Sequence, residues 1–277
     1  MHPTGRYCAI TVVRANDTDY SSADGSLHFE GMDRRAGQGP GVGMFTEYEF
    51  HWRMGGANGP AAFTTFARVS SDGSSISFEQ SFPGQGLSRT AVANGTTPLE
   101  KAQLSASSQF PAFHVPKDSE EKSARGYACV RGSMASDWHF GKFQGSAAED
   151  ISSSCTGLDS GPVSIFDGDG TGAAVVISPA SQFMVATAQY TPPRSGGSSG
   201  SLGWGLLGSV TSVPALFSAS FVISAAPDGV NAAFGRWGSL LRKVHGKASR
   251  SESEGTKDEV LSYLGYSTDN GAFCKKT

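Results

Sequence analysis

Phe63-Thr64-Thr65-Phe66-Ala67-Arg68-Val69, a turn at Asp72-Gly73, and Ser75-Ile76-Ser77-Phe78-Glu79-Gln80-Ser81-Phe82 form the stretch that decides the fold class. Apolar and polar residues alternate in both arms with the period of a half-buried strand. Asp-Gly between them supplies the tight turn of an antiparallel hairpin. The same alternation recurs in Tyr7 to Arg14 and Phe45 to Met54. Gly37 to Gly43 and Asn58-Gly59-Pro60 read as loops between such runs. Strands recurring about every ten residues are the pattern of sandwiches and barrels.

The second half continues in this way. Ser105 to Val115 reads as a strand that Pro111 confines to an edge or a bulge, and charged Asp118 to Arg125 reads as a surface loop. Val163 to Phe166 and Ala173 to Ser178 flank Asp167-Gly168-Asp169-Gly170-Thr171-Gly172, a second hairpin. Phe183 to Gln189, Leu202 to Leu207 and Phe217 to Ser224 are further strands, and the glycine and serine stretch Arg194 to Ser201 reads as a mobile loop. One helix is predicted: Val230, Phe234, Trp237, Leu241 and Val244 make a single apolar stripe, with Asp228 capping its start and His245-Gly246 ending it. The expected organisation is a β domain over 1–228, a connecting helix over 229–247, a polar linker over 248–260 and a new strand over 261–277.

Composition agrees with a mainly β chain. Of 277 residues, 36 are glycine and 13 proline, while only 17% are charged, which favours many short strands over long charged helices. The net charge of −3 and the lack of long Lys/Arg runs give no footprint for nucleic acid or anionic lipid. No stretch approaches the roughly 20 apolar residues of a membrane span. Cys8, Cys129, Cys155 and Cys274 lack the close pairing of a metal knuckle and read as buried free thiols, the alternative being a Cys129–Cys155 bridge across a hairpin. The sequons Asn16-Asp17-Thr18 and Asn94-Gly95-Thr96 fit a secreted form.

The chemistry-bearing motifs are few. The acidic 167–172 loop lacks the further oxygen ligands of a calcium loop and reads as a turn, so no metal or cofactor is expected. His51, His114, His139 and His245 find no serine in a nucleophile elbow. Trp138-His139-Phe140 beside Asp137 reads as core packing rather than as a sugar-stacking surface. Asp269 and Asn270 are the candidate substrate-binding residues. They follow the apolar run Leu261-Ser262-Tyr263-Leu264 and precede Gly271, as a binding carboxylate does at the mouth of a (β/α)8 barrel. No convincing carboxylate pair for glycoside hydrolysis is present.

Leu264-Gly265-Tyr266-Ser267-Thr268-Asp269-Asn270-Gly271-Ala272 resembles the barrel-opening segment of eukaryotic proteins similar to α-galactosidases and raffinose synthases. Val176 to Met184, Leu202 to Val210, Phe234 to Leu241 and Glu79 to Pro83 match the order expected in such a chain. The resemblance implies a glycoside hydrolase-like protein acting on α-linked sugars. Its amino-terminal two-sheet antiparallel β-supersandwich, similar to galactose mutarotase, would precede the barrel. It implies that Asp269 contacts sugar hydroxyls, that the nucleophile and acid/base lie on later strands, and that this chain is the non-catalytic β domain, with carbohydrate and the missing barrel as partners. Ser267 replaces a family tryptophan and Phe273 to Lys276 departs from the pattern, so a truncated or misread gene product is expected. The alternative is a free-standing carbohydrate-binding sandwich with Trp52, Trp138 and Trp204 on an open sheet face.

Overall fold

The computed structural model describes residues 11–39, 42–82, 84–92, 106–116, 125–131, 137–142, 147–155, 162–168, 170–191, 199–247 and 263. It is a predominantly antiparallel β sandwich. One layer is a nine-stranded sheet. Its order is β11 (Asp137–Lys142), β10 (Arg125–Arg131), β12 (Val163–Asp167), β13 (Ala174–Pro179), β17 (Phe217–Ala226), β6 (Ser75–Phe82), β5 (Ala61–Ser70), β4 (Gly43–Met54) and β3 (Leu27–Gly39).

The opposite layer is assembled from small sheets. These are β2 (Thr18–Ser21), β1 (Val12–Ala15) and β8 (Ser108–Gln109); β14 (Ala186–Thr191), β15 (Ser199–Leu206) and β9 (Ala112–Pro116); and β16 (Ser212–Val213) with β7 (Leu87–Ser88). Hydrogen bonds from Ser107 N to Leu206 O and from Phe110 N to Trp204 O join β8 to β15.

The decisive hairpin forms as expected, with Thr64 opposite Ser81 and Val69 opposite Ile76. Phe78, Gln80 and Phe82 point inward. At the turn, Gly73 has φ +68°. The Asp72 carboxylate accepts from Ser70 Oγ, Ser74 N and Ser74 Oγ at 2.7, 3.0 and 2.8 Å. These bonds, the Ser70 hydroxyl first, hold its pKa down at about 2, from an ordinary 3.8.

The core lies between the layers. Trp52, Phe63, Phe82 and Phe221 of the large sheet meet Val13, Leu202, Trp204 and Leu206 of the other. Gln80, fully buried, crosses the gap. Its amide donates to Phe110 O at 2.9 Å and its carbonyl accepts from Ser108 Oγ at 2.6 Å, so a polar group in the core is satisfied from the opposite layer. Two helices are found among the described residues, where the sequence predicted one: α1 (Ala147–Ser154) plugs the core with Ile151, and α2 (Val230–Val244) lies on the outer face of β13 and β17.

Several expectations are corrected. The glycine run from Gly37 is strand up to Gly39, where the Phe45 ring lies over Gly37. Phe183–Val185 is a 3-10 turn that precedes β14, and Ser199 to Ser201 already belong to β15. The residue capping α2 is Gly229, not Asp228, because Gly229 at φ +94° packs against Gly170 O. Pro111 separates β8 from β9, and β9 is the outer strand of its small sheet, whereas β8 is bonded to β1 on one side and to β15 on the other. Of the Tyr7 to Arg14 strand only the end is described, as part of β1. The 118–124 loop and the linker over 248–260 lie outside the described residues, as does the terminal strand over 261–277 apart from Tyr263.

Candidate carbohydrate-binding face

Among the described residues β11 is an edge strand bonded only to β10, with Trp138 opposite Val130 and Phe140 opposite Ala128. Residues two apart share a face, so both rings project from the outer surface of the large sheet. They are 52% and 66% exposed, which corrects the core-packing reading of Trp138-His139-Phe140. The rings are stacked nearly parallel, 17° apart with centroids at 6.1 Å.

The row continues onto α2. Trp138 meets the Phe234 ring edge to face at 6.0 Å, and Phe234 meets Trp237 in the same manner at 5.8 Å. Trp237 is fixed by a 2.7 Å bond from its indole N–H to Ser178 Oγ. Phe140, Trp138, Phe234 and Trp237 thus form one aromatic band running from the sheet edge to the helix.

The other side of β11 is anchored. His139 points inward, where its Nε2 is 2.9 Å from Asp150 Oδ2 of α1 and 3.3 Å from Tyr127 Oη. Cys155, just past α1, is disulfide-bonded to Cys129 of β10, with Cα atoms 5.7 Å apart. The free-thiol reading of these two cysteines is therefore corrected, and the bridge ties a helix to a strand rather than crossing a hairpin. Cys8 and Cys274 lie outside the described residues.

Trp52 and Trp204, expected on an open face with Trp138, are in the core, where Trp52 donates its indole N–H to Thr65 Oγ1 at 3.0 Å. The four histidines fall on separate elements: His51 on β4 bonded to Asp33 at 3.1 Å, His114 on β9, His139 on β11, and His245 after α2 against the Phe183 ring. The flanking strands β12 and β13 pair as a hairpin, and the Asp167 carboxylate accepts from Arg125 Nε at 3.1 Å. Asp269 and Asn270 lie outside the described residues.

The rest of the outer face is polar. On β3 to β6, buried Glu47 is held between Arg35 and Arg68, and Arg68 reaches Glu79 at 2.6 Å. Burial pulls the Arg68 pKa down, but its bonds to Glu79 and Glu47 outweigh that and raise it. These charges satisfy one another. Beside α2, cavities of about 520 and 400 Å³ share Asp72, Ser74 and Arg236. Asp72 is committed to its turn, and Arg236 donates to Ala225 O at 3.0 Å. The aromatic band is the part of this face whose chemistry is turned to solvent.

The aromatic band escaped the sequence reading because its two halves are about a hundred residues apart in the chain. The local alternation of Trp138 and Phe140 with His139 misleads as well, because here the polar residue is the one that points inward. The sequence matches no protein-family model and no curated protein.

Proposed function

We propose that the chain is the non-catalytic, carbohydrate-binding β domain of a glycoside hydrolase-like protein acting on α-linked sugars, and that Trp138 and Phe140 are its sugar-contacting surface. The observation that carries the reading is the pair of exposed, nearly parallel rings on an anchored edge strand. The C–H face of a pyranose is apolar and packs on an aromatic plane. The solvent-facing parts of the two rings offer apolar contact to a sugar unit. Phe234 and Trp237 extend the surface.

The sandwich fold and the resemblance of the 264–272 segment support placing this domain ahead of a barrel, in the manner of galactose mutarotase-like domains. In that arrangement Asp269 and Asn270 would contact substrate at the barrel mouth.

A glycan array probed with the full chain tests the reading, followed by titration of a bound oligosaccharide into Trp138→Ala. The expected result is affinity about tenfold weaker, equivalent to about 1.4 kcal/mol, with an unchanged fold. A second reading has its own support, since Phe234, Trp237 and Leu241 are only partly covered by the sheet. The band would then be the contact surface for the following domain. Unchanged sugar binding in Trp138→Ala, together with less self-association, selects that reading.

A further inference from the structure

We infer that Asn16 is an acceptor for an N-linked oligosaccharide and that the chain matures in an oxidising, glycosylating compartment. Asn16-Asp17-Thr18 is a complete acceptor sequence. Asn16 and Asp17, at φ 50° and 62°, form the two-residue turn of the β1–β2 hairpin, whose last pair is Ala15 and Thr18. Both central residues having positive φ explains an Asn-Asp pair there. The Thr18 hydroxyl, which completes the acceptor sequence, donates a long bond to Asn16 O at 3.4 Å.

The turn is held by its backbone and by Asp17. Asn16 N donates to Ser88 O at 2.8 Å, Asp17 N to Arg89 O at 3.1 Å, and the Asp17 carboxylate pairs with Arg89. Asn16 itself is exposed, and among the described residues its carboxamide makes no hydrogen bond. A glycan on its Nδ2 therefore breaks no contact of the fold.

The second observation is independent of the sequon. Cys129, fully buried, is oxidised to a disulfide with Cys155. Such bonds persist where thiols are not kept reduced, as in the lumen of the secretory pathway. That is where oligosaccharide transfer to asparagine takes place. In the transfer step the Asn16 amide nitrogen forms a bond to C1 of the first sugar of a lipid-pyrophosphate-linked oligosaccharide. The C1–oxygen bond breaks, the lipid pyrophosphate leaves with the electron pair, and one amide proton passes to a base of the transferase.

Position adds a consequence. The β1–β2 hairpin belongs to the small-sheet layer, whereas Trp138 and Phe140 stand on the outer face of the large sheet. A glycan at Asn16 leaves the aromatic band clear.

The test is translation of the full chain, with a secretion leader fused ahead and Asn94→Gln silencing the other sequon, in the presence of endoplasmic-reticulum microsomes. The expected result is a slower-migrating band that collapses on treatment with an N-glycan amidase, leaving Asp at position 16 in the tryptic peptide 15–34. Asn16→Gln and Thr18→Ala each abolish the band. An unmodified 15–34 peptide from chains carrying the Cys129–Cys155 bond overturns the inference, as does a shift that survives Asn16→Gln. Transfer precedes folding, so a variant that folds poorly still gives an answer.

Discussion

Single residues carry two features that the chain's alternation does not announce. Gly205 is the clearer. A Cβ there would lie 1.7 Å from the Ser108 carbonyl oxygen, because β8 passes directly across β15. Gly205→Ala must push two paired backbones apart in the core. A loss of about 3 kcal/mol is expected, within the range of overpacked sites, as a lower urea midpoint; a change within 0.5 kcal/mol, the usual surface value, contradicts this account. Asp72 acts through charge. Its folded pKa of about 2 lies below the ordinary 3.8, so its contribution is present above about pH 4 and lost as pH falls from 4 to 2. The stability gap between wild type and Asp72→Ala should shrink over that interval. A gap independent of pH would show that the ionised carboxylate is not what holds the turn. The Asp72-Gly73 turn was readable because its chemistry is local. Glycine at 205 was not, since its cause is a strand almost a hundred residues away.

Elements differ in legibility for a related reason. β5 and β6 alternate because one face is buried in the core, and α2 shows its stripe because one side rests on β13 and β17. β3 shows neither pattern: it is an edge strand, exposed along most of its length on both faces, so its polar sequence reads as loop. Only the β4 ladder reveals it, from Leu27 opposite Met54 to Gly39 opposite Gly43. The short α1 escaped because eight residues give barely two turns of periodicity. What places α1 is tertiary: buried Ile151, the Asp150–His139 contact and the Cys155 bridge. The disulfide joins cysteines 26 apart in sequence, for which chain entropy gives about 3.5 kcal/mol. Cys155→Ser should lower stability by about that amount and increase hydrogen exchange in α1 and β11 before β5 and β6. Uniform exchange across the sheet would mean that the bridge does not act locally.

At the scale of the whole molecule, the two faces of the large sheet have separate tasks. The inner face builds the core with the small sheets, and the outer face carries α2, the Arg35–Glu47–Arg68–Glu79 ladder and the aromatic band. The mainly β sandwich followed from alternation and turn chemistry alone. The candidate surface did not, because it exists only where an edge strand and a distant helix meet. Trp138 was the one tryptophan of the three proposed for an open face that reached it; Trp52 and Trp204 went to the core, as large aromatics do when a sandwich needs filling. The central claim is that Trp138 and Phe140 are turned outward to meet carbohydrate. The measurement that reaches it most directly is titration of an array-identified oligosaccharide into wild type, Trp138→Ala, Phe140→Ala and the double variant, followed by tryptophan fluorescence and calorimetry. The account predicts weaker binding for each single variant, no detectable binding for the double variant, and an unchanged Cys129–Cys155 bond throughout. Wild-type affinity in the double variant, with the fold intact, would contradict it.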